Sequence, residues 1–167
     1  MNYERITEHS YFDSARSTHI YRYTLASRYI DGYDTVLDAA CGIGYGRKII
    51  NFKNYYGVDK EYLFKNIIQA DLNTWQPDFG FDVFISFETL EHLENYKNLL
   101  QIGKQANRLM IISVPIVPSK DTNPYHLHDF TKEEMYGLLE DNQWKTAYYE
   151  EPDEETGIWI LKRLGTI

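Results

Sequence analysis

The chain has 167 residues, 43% of them hydrophobic, enough for one domain to bury a core without disulfide staples. A net charge of −8 and a sequence pI near 5.1 disfavour a duplex-binding surface, although a local basic patch stays compatible with them. A single cysteine rules out an internal disulfide and fits a reducing, cytoplasmic setting, and no apolar run is long enough to span a bilayer. "MNYERITEHS" carries no signal-peptide apolar region.

In chain order, the first thirty residues read as helical, with Ile20, Tyr23, Leu25 and Ser27 flanked by Arg22 and Arg28 and a stop at Gly32 in "IDGYD". "DTVLDA" is a short buried strand, and "YGRKIINF" is a short helix behind a glycine loop. "NYYGVDK", "NIIQADL" and "FDVFISFE" follow as strands, then "LENYKNLLQIGKQA" as an amphipathic helix. "RLMIISVP" is a fifth strand, stopped by Pro115. Thr131 with Glu134 opens a capped helix at "TKEEMYGLLEDN". "WKTAYYEE" and "GIWILKRL" alternate more and suit a terminal antiparallel pair around the acidic loop "EEPDEETG". This order predicts an α/β fold with a mostly parallel, Rossmann-like sheet and an antiparallel last strand. Residues 1–167 form one domain, with 1–32 as a helical cap and 33–167 as the core.

In such sheets ligands sit beyond the carboxyl ends of the strands. The first four strands end at or next to Asp38, Asp59, Asp71 and Glu88, a ring of acids at one edge. Each single acid could instead cap a helix. The set points to a binding surface.

"CGIGYG" spaces its glycines G-x-G-x-G, whereas the nicotinamide fingerprint is G-x-G-x-x-G, so a dinucleotide oxidoreductase is disfavoured. An acid just before the loop suits a cationic ligand better than a pyrophosphate. Gly42 and Gly44 let backbone approach that ligand. Asp59 lies at the usual offset for a ribose diol, and Asp71 is placed for an adenine amine. A nucleoside with a positive centre is S-adenosylmethionine, whose sulfonium favours acidic and aromatic neighbours.

Four segments carry a resemblance. "VLDAACGIGYG" resembles the first motif of class I S-adenosylmethionine-dependent methyltransferases, and "FDVFISFETLEHL" their fourth-strand segment. "SVPIVPSKDTNPYHLHDFTKEEM" and "THIYRYTLASRYI" are similar to segments of the small-molecule and glycan branch. The resemblance spans nearly the whole chain. It implies methyl transfer from S-adenosylmethionine to a small-molecule or glycan acceptor, with S-adenosylhomocysteine as product and a hydroxyl as the expected acceptor group. By the same resemblance Asp38 and the backbone of Ala40 to Gly44 would hold the methionine part. Asp59 would take the ribose, beside Lys60. Asp71 and Leu72 would meet adenine, and Phe87 would lie by the sulfonium. Arg22 would reach the carboxylate, or else be a solvated helix arginine. One departure stands out: only "KEYLFKNIIQ" separates Asp59 from the third strand, so the usual helix there is reduced to a single turn or lost.

A hydroxyl acceptor is helped by a base. His92, His126 and His128 are the candidates, with Glu88 and Glu91 nearby; each histidine could instead brace a loop. A facial metal site of the three histidines and a carboxylate is conceivable, but H-x-H recurs by chance and the sequence shows no third clustered ligand, so no metal is assigned. "NPY" follows the fifth strand and lacks a second proline, so it does not match the motif of adenine-amine DNA methyltransferases. Cys41 has no basic neighbour to activate it. An amine, protein or nucleic-acid acceptor would show as a basic cleft of Arg47, Lys48, Lys53, Lys60 and Lys65. A fold that binds without turnover is the remaining alternative.

Overall fold

A computed structural model of the chain describes residues 14–61, 65 and 67–165. Among the described residues, three α-helices, α1 (Ser14–Ser27), α2 (Tyr96–Gly103) and α3 (Lys132–Leu139), accompany seven strands. The strands are β1 (Thr35–Ala39), β2 (Asn54–Asp59), β3 (Ile67–Gln69), β4 (Val83–Phe87), β5 (Leu109–Pro115), β6 (Trp144–Glu150) and β7 (Thr156–Arg163). They form one sheet in the order β3-β2-β1-β4-β5-β7-β6. Strands β1 to β5 pair in parallel, and β7 runs antiparallel between β5 and β6. The order reverses at β1, where β2 leads to one side and β4 to the other, and a crevice opens beyond the carboxyl ends of these strands.

Strands covered on both faces are apolar at nearly every position, and β4 is buried throughout with Ser86 its one polar residue. The period of two sorts neighbours onto opposite faces. Leu37, Phe84, Met110 and Trp159 join one core with Leu99 of α2 and Met135 of α3. Val36, Ile85, Ile111 and Ile160 join another with Tyr23, Leu25 and Ala26 of α1. α3 opens with the expected capping box: Glu134 N–H donates to Thr131 Oγ1, and Thr131 N–H donates to the Glu134 carboxylate at 2.8 Å.

Several elements are shorter than their sequence patterns. α1 ends at Ser27, before Gly32, because Arg28 and Tyr29 N–H turn back onto Leu25 and Ala26 carbonyls. "YGRKIINF" makes only a 3-10 turn at Tyr45–Lys48, since the chain must reach Asn54 to start β2. α2 starts at Tyr96, because Asn95 is held by hydrogen bonds to Asn73. The connection from β2 to β3 runs over 60–66, shorter than the about ten to twelve residues of a full crossover. The helical turn expected there falls on 62–64 and 66, outside the described residues, as do residues 1–13 of the cap.

Candidate functional site

At the carboxyl edge the register brings the acids level. Asp38 pairs with Gly57 and Ala39 with Val58, and Cys41 N–H then donates to Val58 O at 3.1 Å. Asp59 ends β2, with Ala70 N–H donating to its carbonyl at 2.9 Å. The loop after β1 holds Ala40, Gly42 and Gly44 at positive φ. It borders a cleft of about 330 Å³, at the lower end of the range for small-molecule sites.

The expected residues Ala40, Gly42, Asp59, Lys60, Asp71, Leu72, Phe87 and His92 line this cleft. A side chain at Gly42 would meet no atom within 4 Å of its Cβ, so the backbone there is open to a ligand. Asp59 is buried, and its carboxylate accepts from Gly42 N–H at 2.9 Å and Glu61 N–H at 3.1 Å. Asp71 accepts from Asn73 N–H at 3.0 Å and from the Asn73 side chain, which hold its carboxyl below the usual range; Lys60 stands 3.8 Å away. Both acids thus bond an N–H two residues on, the Asx-turn habit, as well as facing the cleft. Lys60 is the one lysine or arginine among the described lining residues, which include Asp59, Asp71 and Glu88, so the basic cleft expected for an amine, protein or nucleic-acid acceptor is not formed by them.

Four expected site residues lie elsewhere than on the wall, as does Gly44. Asp38 sits beneath the loop, accepting from the hydroxyls of Tyr23 (2.8 Å) and Tyr55. It therefore reaches the cleft only through Tyr23, which does line it. Arg22 is neither solvated nor on the wall: it is buried, 3.5 Å from Glu88 Oε2 and 3.4 Å from Thr156 Oγ1. His126 stands behind His92, ring centroids 4.8 Å apart. His128 turns away, its Nε2 donating to Leu93 O at 2.9 Å and its ring packed against Tyr96. This is the loop-bracing setting; of the "NPYHLHDF" segment, Tyr125 is the residue that lines the cleft.

Sequence reasoning passed over His19, Tyr23, Tyr45 and Tyr125 as wall residues. His19 falls four positions before Tyr23 on α1, and both rings meet Tyr45 edge-on, a helical spacing that only the docked helix makes meaningful. Glu88 also lines the cleft, with its backbone at φ 48 and its carboxylate accepting from Ser113 Oγ at 2.7 Å. A non-glycine residue in that region is strained, and the strain aims the side chain at the site. Burial pushes the Glu88 carboxyl up, opposed by Arg22. Cys41 is buried, and burial followed by Asp38 and Asp59 raises its thiol, so it is inert as a nucleophile.

Two groups give opposite pH signatures. Burial pushes Asp38 up to about 7, against the pull of its two tyrosine bonds, while burial and then Arg22 lower His19 to about 4. Folding through Asp38 takes up a proton between about pH 4 and 7, so its stabilising share is greatest at low pH and is lost as pH rises through that window. Through His19 the sign reverses: stability is present above pH 6.5 and lost as pH falls towards 4. Thermal denaturation at pH 4.5 and 7.5 is expected to show Asp38→Asn gaining Tm relative to wild type at the higher pH. His19→Asn is expected to gain relative to wild type at the lower pH. Parallel curves for wild type and either variant would refute that assignment.

The third glycine answers to packing. A Cβ on Gly46 would lie 2.3 Å from the Tyr23 ring, which is buried against Phe87 and Tyr45. Gly46→Ala is expected to displace Tyr23 and cost about 2–3 kcal/mol, read as a Tm drop of roughly 4–12 °C by calorimetry. An unchanged Tm would show that the ring yields without cost.

No family model matches the chain. A probable S-adenosylmethionine-dependent methyltransferase of Mycobacterium tuberculosis is 29% identical over 128 residues, 64% of this chain and 47% of that protein. The chain thus spans about half the length of the curated relatives it matches. Among solved structures, a methyltransferase from Aquifex aeolicus superposes with a TM-score of 0.68 at 18% identity, covering 91% of this chain and 94% of the other. The N-methyltransferase NodS of Bradyrhizobium japonicum, solved with S-adenosylhomocysteine, gives 0.65 at 14% identity, covering 89% and 86%. The fold is therefore that of the class I S-adenosylmethionine-dependent methyltransferases. No described helix is long and apolar enough to cross a membrane.

Proposed function

We propose that the chain binds S-adenosylmethionine in this cleft and transfers its methyl group to a hydroxyl of a small molecule or glycan. The observation that carries the reading is the cleft itself: an open glycine backbone at Gly42, bonded to the Asp59 carboxylate, at the switch point of a methyltransferase sheet. The resemblance read from the sequence and the named relatives point the same way.

In this reading Asp59 accepts from the ribose hydroxyls, Asp71 and Leu72 face adenine with Lys60 at the rim, and the Ala40–Gly42 backbone meets the methionine part. Gly44 shapes that loop from beneath, and Asp38 holds Tyr23 against it. Arg22 stands behind Glu88, so in this reading it holds that carboxylate at the wall and would meet the methionine carboxylate only by turning its buried, unpartnered Nε towards the cleft. The acceptor oxygen attacks the methyl carbon, the C–S bond breaks, and its electron pair returns to sulfur, leaving S-adenosylhomocysteine. Positioning in line supplies much of the acceleration. The acceptor proton passes to His92. Its Nδ1 stands 3.0 Å from the Tyr125 carbonyl, and a carbonyl can only accept, so Nε2 carries the lone pair in the neutral ring.

Glu88 favours a second acceptor class, because a half-buried carboxyl on the wall can accept a hydrogen bond from a bound amine and orient its lone pair. Calorimetric titration with S-adenosylmethionine and S-adenosylhomocysteine, then turnover of methyl-labelled cofactor against sugars, phenols and amines, tests the reading. Micromolar binding of both and labelled product from a hydroxyl acceptor are expected. Product from amines alone would replace the acceptor class, binding without turnover would make the chain a binding module, and no binding would end the methyltransferase reading.

A further inference from the structure

The connection from β4 to α2 and the loop before α3 meet at one point. Leu127 and His128 N–H both donate to the Glu91 carbonyl, at 2.7 and 3.3 Å, tying the "NPYHLHDF" loop to the 3-10 turn Leu90–His92. The loop is itself closed by Asp129, whose carboxylate accepts from Ser119 and Lys120 N–H at 2.8 and 2.9 Å. This tie brings His126 from a distant part of the sequence up to the neighbours Glu91 and His92. One ligand atom each from Glu91, His92 and His126 lies within 4.8 Å of the other two. Glu91 is 1% exposed, and its Oε1 stands 3.8 Å from His92 Nε2.

Both imidazoles are oriented from behind. His92 Nδ1 faces the Tyr125 carbonyl at 3.0 Å, and His126 Nδ1 faces Ser119 Oγ at 2.6 Å. In each ring Nδ1 faces a neighbour, and His92 Nε2 is the nitrogen that faces Glu91. This is the outer-shell arrangement that fixes ring tautomer and raises ligand basicity at metal centres.

We propose that Glu91, His92 and His126 form a binding site for a divalent transition-metal ion of the zinc class at the acceptor end of the cleft. Two imidazoles and one carboxylate suit zinc far better than magnesium or calcium, which want oxygen ligands. Three protein ligands leave a position for water or substrate. Zinc takes these ligands at about 2.0–2.2 Å, so binding draws the three groups together, the loop carrying His126 moving most. His128, bound to Leu93 O, takes no part.

An ion there borders the cleft through His92 and Tyr125, both wall residues. Its consequence for catalysis rests on the methyl-transfer reading; the site does not. With the ion bound, His92 is a ligand rather than a base. An acceptor hydroxyl on the ion then loses its proton to water, because a bound cation acidifies coordinated oxygen.

The test uses the full chain, free of any histidine tag. Zinc binding is followed by calorimetry and cobalt binding by visible absorption, for wild type, His126→Ala, Glu91→Gln and Ser119→Ala. One ion per chain, visible cobalt bands of a low-coordinate site and at least tenfold weaker zinc binding in the two ligand variants are expected. Ser119→Ala is expected to weaken binding less, while leaving the cobalt spectrum in place, as a positioning residue should. No uptake by folded wild type, or equal uptake by His126→Ala and Glu91→Gln with folding verified by circular dichroism, overturns the proposal. Titration of S-adenosylmethionine into the same chelator-treated proteins is independent of the ion, so a failed cofactor reading and a failed metal site give different patterns.

Discussion

Asp59→Ala is expected to weaken S-adenosylmethionine binding by about 10²–10⁴-fold in calorimetric titration. The carboxylate stands at the end of β2, buried, level with the open backbone of Gly42. Two hydroxyl donors on an ionised carboxylate contribute about 1.5–3 kcal/mol each, and 1.4 kcal/mol is a factor of ten. Alanine also releases Gly42 and Glu61 N–H, so part of the loss comes from a loosened loop. Asp59→Asn separates the two: it keeps an acceptor oxygen for one N–H and forfeits the charge, and an intermediate affinity is expected. Equal affinity in wild type and Asp59→Ala would place the nucleoside elsewhere.

In the ion-free protein, where His92 is the base and not a ligand, His92→Ala is expected to lower kcat by about 10²–10⁴, the usual share of a positioned base, with the cofactor Kd within about twofold of wild type. The reasoning is local. The 3-10 turn after β4 carries the ring to the cleft wall, and the Tyr125 carbonyl holds it by Nδ1. His92→Gln can keep a donor for that carbonyl but has no basic nitrogen, so it should lose activity as well. Partial rescue of His92→Ala by added imidazole would mark proton transfer rather than packing. Full activity in both variants would remove His92 from the chemistry, leaving Glu88 as the next carboxyl on the wall to test.

The strand pattern and the acids at strand ends were legible because they are set by nearest neighbours in sequence. A strand buried on both faces is a nearly continuous apolar run, as β4 is, and an acid at a strand's end stands out, as Asp59 does after the buried Gly57 and Val58 of β2. Glycine at Gly42 and Gly44 was legible for the same reason, since positive φ is a local demand. The capping box at Thr131 and Glu134 likewise needs only four residues.

What the tertiary structure decided is which way each polar group faces and what stands behind it. Asp38 and Asp59 both close strands in the sequence, yet Asp38 is turned beneath the loop because Tyr23 of α1 and Tyr55 of β2 reach its carboxylate first. Gly46 looks like a third loop glycine, but its reason is a tyrosine ring delivered by a helix more than twenty residues earlier. His126 and His128 are two residues apart. One joins His92 and Glu91, and the other braces Leu93, because the N–H groups of Leu127 and His128 tie the backbone between them to the Glu91 carbonyl. Local sequence dictates backbone conformation and burial, through sterics and the hydrophobic effect. The partners of a buried charge, and the convergence of distant ligands, depend on long-range packing that no window of sequence contains.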